Sequence, residues 1–197
     1  MKIKDIKAYE LLDSRGNPTV GVEVILSDES VGLALVPSGA STGKYEAIEK
    51  RDSEKDRYLG KGVLVAVNCI HNDILPLLRD KDASDLFDND LLMIEEDGTD
   101  SKENFGANAI LAVSLACGKA AASSMKINLH EYINNKASEF YDKKIEQNLP
   151  IPMLNILNGG AHADNPIDFQ EFMIRPFGFN SFSDSLRCGV EIFHTLK

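Results

Sequence analysis

The chain is predicted to be an α+β protein in two parts. An antiparallel three-stranded meander followed by helices comes first, and a second unit opening with strands comes after a polar stretch. Three features predict this. Short Val/Ile/Leu-rich runs near the N-terminus are separated by turn chemistry, the apolar period changes to that of a helix beyond residue 60, and composition turns polar between residues 136 and 148.

Residues 3–12, 19–26 and 30–36 read as strands, because Val, Ile and Leu partly alternate there with polar side chains. Asp13-Ser-Arg-Gly-Asn-Pro18 and Ser27-Asp-Glu29 separate them with turn formers, and connections this short favour antiparallel pairing. Pro37 ends the third strand, since proline cannot donate to a ladder. Val63, Val67, Ile70, Ile74 and Leu77 then draw one apolar helical stripe. Ser84 or Asp85 is placed to cap a helix running through Met93, and Glu95-Glu-Asp97 reads as its solvated end. Residues 104–125 are rich in Ala, Ser, Leu, Ile and Val and read as a buried helix, with Asn108 the one amide inside it. A shorter helix is expected over 129–135.

These elements divide the chain into a first domain at 1–136, a linker at 137–148 and a second unit at 149–197. In the second unit, 153–157 reads as a buried strand ending in Asn158-Gly-Gly160. Residues 167–175 read as another strand closed by Pro176. A helix begins at Ser181 or Ser183 and uses Leu186, Val190 and Phe193.

Composition narrows the function. Twenty-one basic against 31 acidic residues give a net charge of −10, which argues against nucleic-acid or anionic-membrane partners. No apolar run reaches the roughly 20 residues of a membrane span, and the first residues lack an apolar signal core, so the cytosol is expected. Cys69, Cys117 and Cys188 are odd in number and set among apolar residues, which suits free thiols in a reducing compartment.

Two constellations could carry chemistry. Pro37-Ser-Gly-Ala-Ser-Thr-Gly43 is a small-residue loop after a strand. It could move as a lid, bind an oxyanion through its N–H groups or offer oxygens to a hard cation; a plain surface loop is the alternative. A nucleotide phosphate loop is excluded by spacing, because three residues rather than four separate Gly39 from Gly43, and Tyr45 follows Lys44. The second constellation is Asn158-Gly-Gly-Ala-His-Ala-Asp-Asn165, followed by Asp168, Gln170 and Glu171. An imidazole near carboxylates suits acid–base work or anion binding, and an ordinary hydrogen-bonded loop histidine is the alternative for His162. Gln170 and Glu171 are adjacent, so they face one site only where the strand bulges or ends. His71, His130 and His194 lack spaced partners and read as structural.

Asp13-Ser-Arg-Gly-Asn-Pro-Thr-Val20, Val36-Pro-Ser-Gly-Ala-Ser-Thr-Gly43, Leu59-Gly-Lys-Gly-Val63, Asp97-Gly-Thr99, Phe105-Gly-Ala-Asn-Ala-Ile-Leu-Ala-Val-Ser-Leu115, Asn155-Ile-Leu-Asn-Gly-Gly-Ala-His-Ala-Asp-Asn165 and Asp168-Phe-Gln-Glu-Phe-Met-Ile174 resemble the enolases in order and spacing, the bacterial ones most. The resemblance implies that 1–136 is an α+β capping domain and that 149–197 is the incomplete start of an α/β, TIM-like barrel. It implies reversible dehydration of 2-phosphoglycerate to phosphoenolpyruvate with two Mg2+ ions, in a homo-oligomer that is a dimer or larger. Ser41 then aligns with the loop serine that holds the second magnesium and meets substrate when the loop closes. His162, Gln170 and Glu171 align with the His, Gln and Glu that surround the substrate and its leaving hydroxyl. The acid glutamate, the carboxylates of the first magnesium, the lysine base and the phosphate-gripping arginine and serine belong to later strands, beyond Lys197. The isolated chain is therefore expected to be inactive, and a non-catalytic phosphate-binding or protein-interaction fragment is the alternative. Pro166 departs from the usual Asn or small residue. Gly21 stands where a dimer-interface glutamate is common, which puts that ion pair in doubt. A secondary cell-surface or secreted pool is compatible with the resemblance.

Overall fold

The computed structural model describes residues 1–38 and 43–196, which fall into two compact units, Met1–Ile145 and Glu146–Lys197. The first unit opens with β1 (Ile3–Leu12), β2 (Pro18–Leu26) and β3 (Val31–Leu35), an antiparallel meander in the order β1-β2-β3. Its first turn is built by Asp13, whose Oδ1 accepts from the backbone N–H groups of Arg15 and Asn17, both at 2.8 Å. That is the local hydrogen bonding that makes aspartate a turn former.

Alternation sorts the sheet. Ile6, Ala8, Val22, Val24 and Ala34 are buried on one face, while Lys7, Tyr9, Leu33 and Leu35 are exposed on the other. Across the inner face the register sets Val24 opposite Gly32 and Val22 opposite Ala34, so the residues on β3 are small. That taper admits a helix. It is α3 in chain order, after α1 (Leu64–Leu78) and α2 (Leu86–Asp97), and it spans Ala107–Ser124. Ala109, Ala112, Val113, Ala116, Cys117, Ala120 and Ala121 of α3 are buried. At Gly32 the approach is so close that an added Cβ would lie 2.1 Å from the Ala116 carbonyl oxygen and 2.3 Å from the Ala120 nitrogen. Lys119 secures the same contact from its edge by donating to the Leu33 carbonyl at 2.8 Å.

Helix α1 contains a π turn at Ile70–Ile74, immediately before Pro76. A proline inside a helix lacks one donor and crowds the preceding turn, and the wider π turn accommodates both effects. Within that turn His71 accepts from the Ala8 N–H of β1 through Nε2 at 3.0 Å, which gives it the structural part expected. Asp52 reaches from outside the helix to accept from the Leu64 and Val65 N–H groups at 3.0 and 2.8 Å. Arg57 joins Asp52 to Glu10. Its hydrogen bond is the main cause that holds the Glu10 carboxyl below its ordinary range.

Two helix ends differ from the sequence expectation. Helix α2 runs to Asp97 rather than Met93 and stops at Gly98, which adopts the left-handed conformation at φ 68°. Asp97 itself is buried, not solvated, because it accepts from Thr99 and from the Phe105 N–H at 2.7 Å and so closes the following loop. Helix α4 (Leu129–Phe140) extends five residues beyond the expected end at residue 135. A capping box of Asn128 and Glu131 starts it, and Ser138 and Asn134 hydrogen-bond to the backbone of Ile145. Asn108, the amide inside α3, pairs both ways with the backbone of Lys50 at 3.0 Å and fixes the 46–52 segment as a strand partner would.

The second unit comprises β4 (Leu154–Asn158) paired antiparallel with β5 (Glu171–Ile174), then α5 (Phe182–Leu196). Ser181 caps α5 by accepting from the Asp184 N–H at 3.1 Å. β5 is shorter than the expected strand over 167–175, because the backbone of 167–170 is used in a turn. This unit has little interior of its own. Gly189 packs on Leu154, yet Phe169, Phe172, Met173, Phe177 and Phe193 are all exposed. Among the described residues no single helix is long and apolar enough to cross a membrane, and the three cysteines are free, with Cys69 and Cys117 buried.

The Gly32 approach generates a direct expectation. Gly32→Ala should destabilise the chain by about 3 kcal/mol, because the new methyl meets helix backbone rather than a side chain that can rotate away. Urea unfolding followed by far-UV circular dichroism measures it; a loss under about 1 kcal/mol would show that α3 yields freely.

Candidate functional site

Ser41 lies outside the described residues, and the structure speaks only of the chain on either side. Ser38 is gripped at the exit of β3. Arg15 donates to its carbonyl at 2.9 Å, Arg51 Nη2 donates to its hydroxyl at 3.3 Å, and that hydroxyl donates to Glu49 at 3.3 Å. Arg51 also donates through Nη1 to the carbonyls of Pro18 at 2.6 Å and Lys61 at 2.7 Å. On the far side the Gly43 N–H donates to Glu46 Oε2 at 2.7 Å. The turn sequence that carries Arg15 was readable in advance. Arg51, in a polar stretch without pattern, gave no signal.

In the second unit the elements explain the placement of each side chain. β4 ends at Asn158, and Gly159 is buried so tightly that an added Cβ would lie 2.5 Å from both the Ile167 and Phe169 carbonyl oxygens. Gly160 turns the chain at φ 55°. The Gly159 N–H donates to the Gln170 carbonyl at 3.0 Å and the Gly160 N–H to the Ile167 carbonyl at 2.6 Å. The short 3-10 turn Gly160–His162 then carries His162 back towards β5, where its Nδ1 stands 3.0 Å from Glu171 Oε1. Both side chains are partly shielded, 26% and 33% exposed.

Glu171 is the first residue of β5 and pairs with Asn158, the last residue of β4; the register irregularity of β4, between Asn155 and Leu157, faces Met173 and Phe172. The boundary of the strand falls between Gln170 and Glu171, one of the two conditions under which neighbouring side chains escape strict alternation. Gln170 lies just before the strand, with its Cγ over Gly160. His162 and Glu171 are in direct contact, and Gln170 joins them through the turn's backbone. Three asparagines complete the turn, Asn155 on β4 and the Asn158 and Asn165 that bound the second constellation.

The first unit is thus a meander covered by helices, and the second opens with a hairpin that brings His162 and Glu171 into contact. The family model described as "Enolase, N-terminal domain" matches residues 3–133, and that described as "Enolase, C-terminal TIM barrel domain" matches residues 146–197. The chain belongs to the enolase family, its second unit being the start of the C-terminal barrel domain, and the family assignment makes it an enolase-type lyase of glycolysis.

The grip on Ser38 has an energetic consequence. Arg51→Leu strips a charged donor from two carbonyls and a hydroxyl, so it should lower stability by about 2 kcal/mol, whereas Arg15→Leu removes one exposed hydrogen bond and a loose surface ion pair with Asp13 at 3.6 Å and should cost under about 1 kcal/mol. Chemical denaturation of the two variants checks the ranking, and equal losses would contradict it.

Proposed function

We propose that this chain forms the first part of a magnesium-dependent phosphopyruvate hydratase that converts 2-phosphoglycerate reversibly to phosphoenolpyruvate. The observation that carries the reading is the His162–Glu171 pair at 3.0 Å, set at the end of a barrel-type strand. Dehydration removes a proton beside a carboxylate and expels a hydroxyl, so a site must hold that hydroxyl in line and handle its proton. With His162 Nδ1–H directed at Oε1, the Glu171 carboxylate is fixed in orientation and its second oxygen is available to the leaving hydroxyl or the product water. Protonated, His162 would add positive charge beside an anionic substrate. Gln170 supplies an amide next to the pair.

Magnesium is part of the family's chemistry, supplying charge that stabilises the carboxylate-bearing intermediate. Among the described residues no group of three or more His, Cys, Asp and Glu side chains gathers to hold a metal ion. These residues do not by themselves fit a magnesium site. The two ions, with Ser41 as a ligand of the second, belong in this proposal to the complete active site. Cytosolic location and assembly as a homo-oligomer, a dimer or larger, are proposed with it.

The test compares the 197-residue chain with a complete enzyme carrying the same segment, assayed for phosphoenolpyruvate formation in excess magnesium. The chain alone should show no measurable turnover, and Glu171→Gln in the complete enzyme should lower kcat by about 100-fold or more. Turnover by the chain within about tenfold of the complete enzyme, with contamination excluded by mass spectrometry, would mean that other residues supply the base.

A further inference from the structure

We propose that Asn165 is a positioning residue for the His162–Glu171 pair, a role that rests on the reading of that pair as the proton-handling centre. Its amide spans the mouth of the turn that carries His162. Nδ2 donates to the Asn158 carbonyl at the end of β4 at 2.9 Å, and Oδ1 accepts from the Ile167 N–H on the approach to β5 at 3.0 Å. The orientation of the amide is unambiguous, because a carbonyl only accepts and a backbone N–H only donates. Asn158 is itself held from the strand side, where Asn155 Nδ2 donates to its Oδ1 at 2.5 Å.

The placement matters because of what the turn otherwise has. Two backbone hydrogen bonds, Gly159 to Gln170 and Gly160 to Ile167, tie its base, and the His162 N–H donates to the Gly159 carbonyl at 3.0 Å. Two adjacent glycines supply those donors, and glycine backbones resist distortion least. Asn165 therefore acts as a side-chain rung across the segment that is least stiff on its own. Asn158 and Asn165 are exposed, so water can replace the lost partners when the amide is removed. Removal is thus compatible with a folded chain. What it releases is the position of His162, and a contact at 3.0 Å does not survive a displacement of about 1 Å as a hydrogen bond.

The neutral imidazole reports this directly. Held against Glu171, it carries its proton on Nδ1; released to water, it redistributes the proton between the two nitrogens. The experiment is long-range 1H–15N correlation on the 197-residue chain labelled at histidine, at a pH where His162 is neutral, with His162→Gln assigning the signal. The native chain should show the Nδ1–H form in excess. Asn165→Ala should lower the ratio of Nδ1–H to Nε2–H at least fivefold. Asn165→Asp keeps the acceptor for Ile167 but loses the donor to Asn158, and should fall between the two. Should Asn165→Ala disorder the hairpin, the Asn165→Asp ratio decides. An unchanged ratio in Asn165→Asp and in any folded Asn165→Ala would overturn the proposal, as would an Nε2–H excess in the native chain. Failure of the functional reading is separable, because loss of kcat in Glu171→Gln is read in a different protein and is independent of the tautomer ratio.

Discussion

The first unit depends on one close approach, the seating of α3 on β3 at Gly32. A helix with an alanine-rich buried face buries little area per side chain, so it contributes to a core only where backbones come near enough for many small contacts. Gly32 and Ala34 on the strand, and Ala116 and Ala120 on the helix, permit that proximity. Other features follow from it. The short side chains leave Gly118 open to Tyr132 of α4, whose ring carbon lies 3.7 Å from the position of an added Cβ. Tyr132 is nearly fully buried and donates its hydroxyl to the Ser84 carbonyl at 3.2 Å. Desolvation dominates the buried groups here and pushes the Cys117 thiol and the Tyr132 phenol up to about 12. Cys117 behaves as a small hydrophobe rather than as a reactive thiol.

The second unit is organised differently. Its order comes from hydrogen bonds around a glycine turn, and its large side chains remain in solvent. One hairpin packed on one helix, with most of its large side chains exposed, has low stability of its own. The unit that carries the His162–Glu171 pair is therefore the less stable one.

Much of this was legible in the sequence. The three strands were read within one residue at each end, because turn chemistry at Asp13–Pro18 and Ser27–Glu29 punctuates them sharply and burial on one face enforces alternation. Helix ends were read less well. Asp97 looked like part of a solvated acidic run, yet it folds inward, since its loop supplies N–H donors that only the folded chain brings together. The extension of α4 to Phe140 depends on Ser138 and Asn134 meeting Ile145, a contact without periodic signature. At the site, His162, Gln170 and Glu171 stood out by residue type and by family resemblance. Asn165, Arg51 and Glu49 did not, because their roles lie in partners distant in sequence or in backbone groups that no side-chain pattern records.

Cohesion is concentrated at the α3–sheet contact and is weak in the hairpin, and native-state hydrogen exchange measures that distribution residue by residue. Amides in the buried stretches of β2 (residues 20–24) and α3 (residues 109–121) should exchange only through global unfolding, with protection equal to that expected from urea denaturation. Amides of β4 and β5 should open locally and exchange at least about 100-fold faster. Hairpin amides as slow as those of α3 would contradict the account, for they would place the second unit inside the same cooperative core.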